Sequence, residues 1–514
     1  MPVSGILLSS LSGILLTAGF PFLDFYYLSW IALVPLLVAV RGRTPRQAAL
    51  LGYLCGMVHY VTTMYWIRYV IYHYGGLAFP LAALILLLLC AYMSVYPAAF
   101  AFAAKKLERY PMAWVFGLPC VWVTLEFIRA HALTGFPWAS LGYTQTPFTL
   151  LIQVSDITGV FGVSWVLVLA GTSLAALHYR FRAWPGLLVL ALTLSAAAFY
   201  GSWRIEQIRA MQDLVSPVNV AVVQGNIDQS VKWNPAFQQE TLQRYRRLTL
   251  EAVKHDPQPD LVVWPETAAP FFYGIEPKLT PQLNEIVREA GKPVLFGSPA
   301  ARRVGTEVRL LNRTYLLEKD ATVSGAYDKR HLVPFGEYVP LKTLLFFVNR
   351  LVESAGDFVP GDDPSPLGFN SLSMGILICY EGIFPGLSRD TVLRGATSLF
   401  NLTNDAWYGD TSAPYQHLEI SRWRAVEFRV PLVRAANTGI SAMFDATGVP
   451  CGTIPLNREG YLICNIRPIR LLTIYARWGD FFAWFCTLTA ACAMLLCIYT
   501  RESESNDSQK EVSI

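Results

Sequence analysis

The chain has 514 residues, of which 53% are hydrophobic and only 15% charged, and its mean hydropathy is +0.37. An ordinary soluble domain is about 25% charged, so a wholly soluble protein is excluded and part of the chain belongs in a membrane. The net charge of +4 is too slight to point to a nucleic-acid partner.

Apolar runs dominate up to about residue 200, and eight stretches have the length and character of spans: 4–21, 27–40, 47–66, 78–104, 112–129, 150–177, 184–200 and 480–499. The third and sixth carry polar residues, which are expected to face the bundle interior. No Lys or Arg precedes the first span and no small-residue cleavage site closes it, so a retained anchor is expected there. Arg41, Arg43 and Arg46 follow span two, Lys105, Lys106 and Arg109 span four, Arg180 and Arg182 span six, and Arg501 span eight. The alternate short loops are poor in such residues, Arg68 and Arg129 excepted. This bias places both termini in the cytoplasm and the region 217–470 on the opposite face, the periplasm in a bacterium. The tail 500–514 is expected to be disordered and solvated.

Between 217 and 470 short β-rich runs alternate with amphipathic stretches. Strands are expected at 218–227, 261–268, 293–300, 374–381, 397–407 and 431–445, and helices at 236–253, 279–291 and 416–429. The alternation predicts an α/β layer structure with helices covering buried sheets. After the Glu337 segment, "LKTLLFFVNRLV" (341–352) holds a consecutive apolar cluster. A mobile arm dipping into the outer leaflet through Phe346 and Phe347 is one reading, a buried core helix the other.

Nine cysteines are scattered without a CxxC pair or a His/Cys ligand spacing, so no zinc site is indicated. Six lie in apolar spans, and Cys379, Cys451 and Cys464 in the α/β region. A hairpin turn at Asn457 to Gly460 would set Cys451 and Cys464 diagonally. An oxidising compartment permits a disulfide, while diagonal pairs are often too far apart to bridge.

Active residues in such folds collect where strands end, and three strand ends carry reactive chemistry. "LVVWPETAAP" ends on Glu266, "AYDKRHLVPFGEYVP" carries Lys329 with Glu337 eight residues later, and "ILICYEGIFP" carries Cys379. Singly these read as a surface carboxylate, a solvated lysine and a core thiol. Together they are the parts of an acyl-transfer site: a thiol nucleophile, a carboxylate to take its proton, and a cation for the developing oxyanion. The backbone N–H of Tyr380 is a candidate second donor. No histidine is implicated, and His331 reads as a loop residue.

The Glu in "WPE", the Lys in "YDKRHLVPFGE" and the Cys in "CYE" resemble the Glu-Lys-Cys triad of the nitrilase superfamily over roughly 217–470. With the flanking spans and with "HLVPFGEYVP", "CYEGIFP" and "NLTNDAWYG", nearly the whole chain resembles the apolipoprotein N-acyltransferase family of the bacterial inner membrane. The resemblance implies a nitrilase-like α/β sandwich (217–470) inserted before the last helix of an eight-helix transmembrane bundle, with helices one to seven in 1–204 and the eighth at 480–499. It implies Glu266 as general base, Lys329 as stabilising cation and Cys379 as nucleophile. Glu337 would support the lysine and proton movement, and Tyr380 and Glu381 follow the nucleophile as in the family. Trp233 and Trp407 are similar to aromatic residues lining the substrate entrance, or are packing residues. The implied reaction moves an acyl chain from a phospholipid, typically phosphatidylethanolamine, to a cysteine thioester and on to the N-terminal amine of diacylglyceryl-cysteine apolipoprotein. It needs no metal or organic cofactor. A membrane-tethered nitrilase-type amidase is the alternative enzyme, and a transporter or scaffold the alternative class.

Overall fold

A computed structural model of the chain describes residues 3–304, 307–338 and 358–511. The expected arm at 341–352, with Phe346 and Phe347, lies outside the described residues. The chain divides into two units: Met1–Arg68, Pro80–Trp203 and Trp478–Ile514 form one, and Tyr69–Phe79 with Arg204–Arg477 the other.

The first unit is helical. Among the described residues four helices are long and apolar enough to cross a membrane: Phe79–Leu107, Pro111–Thr134, Val160–His178 and Trp184–Asp213. They match the fourth to seventh expected spans. The sixth starts later than expected, because Gly159, at φ +62°, separates it from two single-turn helices, Thr149–Ile152 and Ser155–Thr158. The first, second and last expected spans fall on shorter apolar helices, Val3–Ala18, Tyr26–Val40 and Phe481–Cys497. The third falls on Pro45–Thr63, which begins at a Thr44–Gln47 capping box with proline in its first turn. Its His59 and Thr63 are buried, and His59 Nδ1 lies 3.0 Å from Thr17 Oγ1. The last helix continues to Glu511 through the tail expected to be disordered, since no Gly or Pro after Phe481 stops it.

Among the described residues Glu126, Arg129 and Asp156 are buried in this unit, and the first two act as braces. Glu126 accepts from Trp122 Nε1 at 2.9 Å and from the backbone N–H of Leu141 at 2.7 Å. Arg129 donates to Tyr60 Oη at 3.1 Å and to Ser140 Oγ at 3.2 Å. They pin the 132–146 segment to its helix.

The second unit contains two six-stranded sheets. The strands are β1 (Val218–Gln224), β2 (Leu261–Val263), β3 (Val294–Val304), β4 (Glu307–Leu317) and β5 (Val323–Asp328). They continue with β6 (Leu367–Phe369), β7 (Leu372–Ile378), β8 (Ser398–Thr403), β9 (Leu432–Ala436), β10 (Ser441–Phe444), β11 (Pro450–Ile454) and β12 (Gly460–Ile466). One sheet has the order β12-β1-β2-β3-β4-β5 and the other β11-β10-β9-β8-β7-β6. Their centres, β1-β2-β3 and β7-β8-β9, are parallel.

Alternate residues explain the layering. Val220, Val222, Val263 and Leu295 share a core with Met374, Ile376, Phe400 and Val433, so the two sheets pack face to face. Ala221, Val223, Val262 and Trp264 point the other way and pack with Leu242, Tyr245, Leu283 and Val287 from helices Pro235–Ala252 and Leu279–Ala290. Leu377, Leu399 and Leu432 pack likewise with Val392, Leu418 and Phe428 from Pro385–Leu393 and Ala413–Phe428. Central strands are thus buried on both faces and read as continuous apolar runs. The outer strands β4, β5 and β11 keep exposed positions, which removes that signal from the sequence.

The run 431–445 proves to be two strands, broken where Gly439 passes Asp405. A β-carbon at Gly439 would lie 2.4 Å from Asp405 Oδ2. The pair β11 and β12 does not form the expected single-sheet hairpin, because the two strands are edges of different sheets. Cys451 and Cys464 are nonetheless disulfide-bonded, with Cα atoms 6.3 Å apart, so the bridge ties one sheet to the other.

Candidate active site

Glu266 lies three residues beyond β2, where the chain turns sharply and Thr267 adopts φ +50°. Gly297 permits that turn, since a β-carbon there would come within 2.4 Å of Thr267 N and 2.8 Å of Glu266 Cα. Lys329 directly follows β5, and its backbone N–H donates to Asn312 O on β4 at 2.9 Å. Its Nζ is 2.9 Å from Glu337 Oε1 and 3.5 Å from Glu266 Oε1. Asn312 Nδ2 donates to both carboxylates, at 2.8 Å to Glu266 and 3.0 Å to Glu337. The Val333 N–H donates to the other Glu337 oxygen at 2.8 Å. Burial opposes the Lys329 charge, but Glu337 and Glu266 outweigh it and hold the amine well above its ordinary range. Lys329 is a fixed cation.

Cys379 directly follows β7 in a left-handed conformation, φ +52°, which a side chain adopts only when its surroundings enforce it. Asn401 Nδ2 donates to the carbonyls of Leu377 (3.0 Å) and Cys379 (3.2 Å), and His417 Nε2 lies 3.2 Å from the same Cys379 oxygen. Glu381 is fully buried and accepts the backbone N–H groups of Ile378 at 2.7 Å, Arg330 at 2.7 Å and His331 at 3.0 Å. Tyr327 Oη adds a bond at 3.1 Å. One carboxylate therefore braces the residue before Cys379 against the residues after Lys329. Burial pushes the Cys379 thiol up to about 12, Glu266 pushes the same way, and Lys329 pulls it back. The resting group is a thiol and needs a proton acceptor to attack.

Behind the elbow lies a buried charged network. Asp405 pairs with Arg434 Nη2 at 2.7 Å and with His417 Nδ1 at 3.0 Å, and Arg434 Nη1 donates to Asn401 and Ser421. Burial and Arg434 hold His417 below its usual range. Its contact with the Cys379 carbonyl corrects the expectation that no histidine bears on the site.

The other expected residues fall as follows. Tyr380 is buried, its ring 4.9 Å from that of Phe384, and the His331 ring lies 4.1 Å from Phe384. Trp407 packs edge-on against Tyr74 at 5.1 Å, and Tyr74 Oη donates to Ala406 O at 3.1 Å. Trp233 is exposed. Among the described residues no hydrogen bond or ring contact joins either tryptophan to Glu266, Lys329 or Cys379. Lys232, next to Trp233, is buried and donates to the backbone oxygen of Glu266 at 3.2 Å. Sequence reading missed Lys232, Asn312, Asn401, Asp405, His417 and Arg434. The one available signal was charge or amide in otherwise apolar runs, as in "SLFNLTNDAW" and "PLVRAAN".

Two families match the chain: apolipoprotein N-acyltransferase N-terminal domain over residues 12–173, and carbon-nitrogen hydrolase over 219–471. An apolipoprotein N-acyltransferase of Geobacter metallireducens is 43% identical over 96% of this chain and 95% of its own length. One of Methylococcus capsulatus is 34% identical over 93% of each. Among solved structures, a carbon-nitrogen hydrolase from Helicobacter pylori G27 covers 52% of this chain and 94% of its own, at 18% identity and a TM-score of 0.39.

Proposed function

The chain belongs to the apolipoprotein N-acyltransferase family, and from that premise we propose that it moves an acyl chain from a phospholipid, through a thioester on Cys379, to the N-terminal amine of a diacylglyceryl-cysteine apolipoprotein. The observation that carries this reading is a buried thiol on a strained elbow, electrostatically coupled to a carboxylate and to an ammonium that two carboxylates keep charged. Glu266 takes the thiol proton as Sγ attacks the ester carbonyl. Lys329 and the Tyr380 N–H stabilise the oxyanion. Glu266 then returns the proton to the departing lysophospholipid alcohol. In the second half the acceptor amine attacks the thioester, C–N forms as C–S breaks, and Sγ regains its proton: a ping-pong cycle. Glu337 and Asn312 hold Lys329 and Glu266 in register. Trp233 and Trp407 flank the entrance.

Phosphatidylethanolamine is the donor in this reading. The enzyme sits in the bacterial inner membrane with eight spans, both termini cytoplasmic and the catalytic domain on the periplasmic side, inserted before the last helix. The Cys451–Cys464 disulfide supports that side, because such bonds persist in oxidising compartments. An amidase would share the first half-reaction. A match extending over the membrane spans as well as the α/β domain favours acyl transfer.

The test is mass spectrometry of the purified protein after incubation with defined phospholipid alone. An acyl adduct on a Cys379 peptide, released by hydroxylamine and absent in Cys379→Ala, is expected. An adduct on another cysteine sinks the mechanism.

A further inference from the structure

Two lysines are buried beside Glu266, and they are not equivalent. Lys329 lies between two carboxylates. Lys232 is as deeply buried, yet among the described residues its Nζ makes a single hydrogen bond, to the backbone oxygen of Glu266 at 3.2 Å, and no ion pair. An ammonium taken out of water without a counterion is costly. The groups that act on it are Glu266 and Cys379, the base and the nucleophile. Burial dominates their pull and brings Lys232 down to about 8, whereas the same residue type at 329 is driven upward. Groups whose surroundings push their titrations apart mark different proton-transfer roles.

The reaction has a vacancy for such a group, if the acyl-transfer reading holds. Thioester formation needs one proton carrier: the proton leaves Sγ and arrives on the alcohol, and Glu266 suffices. Aminolysis starts from an α-ammonium, which must shed two protons to become an amide nitrogen. One returns to Sγ through Glu266. The other has no acceptor in the triad, since Lys329 is already charged.

We propose that Lys232, in its neutral form, is the second base of the transfer half-reaction and removes the proton that the acceptor's α-ammonium must lose before its nitrogen attacks the Cys379 thioester. The balance is R–NH3+ plus Lys232–NH2 giving R–NH2 plus Lys232–NH3+. The amine then forms the C–N bond as C–S breaks, its remaining surplus proton passes to Sγ, and Lys232 returns its proton to water. An α-amine titrates at about 7.7–8.0, so the exchange is close to balanced.

The experiment separates the half-reactions in the full-length protein. Thioester is formed with defined phospholipid, then discharged either with a diacylglyceryl-cysteine peptide or with hydroxylamine, a weakly basic nucleophile that arrives neutral. In Lys232→Met the rate with the peptide, relative to thioester formation and to hydroxylamine discharge, is expected to fall about 10²-fold, the low side of what a lost general base costs. Raising the pH, which neutralises the peptide amine, restores part of it. Lys232→Arg keeps a donor for the Glu266 oxygen but cannot become neutral, so it shows the same selective loss and covers the case in which the Met variant fails to fold. Three results overturn the proposal: equal losses in all three rates, which is what merely positioning Glu266 would give; rescue by Arg; or an unchanged peptide rate. A wild-type protein that forms no Cys379 adduct overturns the acyl-transfer reading itself, and the proposal with it.

Discussion

Glu381 offers the sharpest test of how the site is assembled. Its carboxylate holds three backbone donors that cannot rotate away: Ile378 N–H on one oxygen, and Arg330 and His331 N–H on the other. Glu381→Gln keeps the shape but turns one oxygen into a donor. The favourable orientation keeps the carbonyl toward Arg330 and His331 and leaves Ile378 N–H facing an NH2 group. One buried donor without its acceptor costs about 1–3 kcal/mol. For a domain of this size that lowers the melting temperature by roughly 2–12 °C. Glu381→Ala strands all three donors and costs roughly 3 kcal/mol or more. The functional loss follows from the same bonds, because Ile378 precedes Cys379 and Arg330 follows Lys329. A shift of about 1 Å between Cys379 and Lys329 costs on the order of 10²-fold in rate, and that is the loss expected for Glu381→Ala in thioester formation. The assay pairs thermal unfolding of the full-length protein in detergent with the rate of Cys379 adduct formation. A Glu381→Gln protein with wild-type melting and wild-type adduct rate would refute the brace.

Further outcomes follow from the same geometry. Glu266→Gln removes the proton acceptor without changing shape and should slow thioester formation by about 10²-fold or more; a normal rate would refute its role as base. Lys329→Met should cost a similar factor, and Lys329→Arg should not restore it, since a planar guanidinium cannot occupy the same point between Glu337 and Glu266. Burial opposes the charge of Asp405, but Arg434 and His417 outweigh it and hold the carboxyl below its ordinary range. That ion pair therefore contributes stability above about pH 4 and loses it as pH falls further. Asp405→Asn strands the buried Arg434 and should cost about 3–5 kcal/mol at neutral pH, with a smaller deficit in acid; thermal melts across pH decide it. Finally, Cys451 and Cys464 should resist labelling in denatured, unreduced protein and label after reduction, whereas free labelling of both would exclude the bond.

Glu266 and Cys379 stood out in the sequence because each sits where an apolar strand run stops. Central parallel strands are buried on both faces, so the runs before Glu266 and Cys379 are continuous and their ends conspicuous. Lys329 was found by its company, the "DKRHLVPFGE" segment, although β4 and β5 beside it were not, since their outer positions face water. What surrounds the trio was decided elsewhere. Asn312 meets Glu266 from 46 residues away and His417 meets the Cys379 carbonyl from 38, and no local periodicity encodes such pairings. The order of strands in two sheets sets them, with the disulfide falling between sheets for the same reason. Sequence also cannot distinguish two lysines in similar settings. Whether a buried amine is a fixed cation or a titrating base depends on how many carboxylates pair with it, and among the described residues two pair with Lys329 while Lys232 bonds a backbone oxygen.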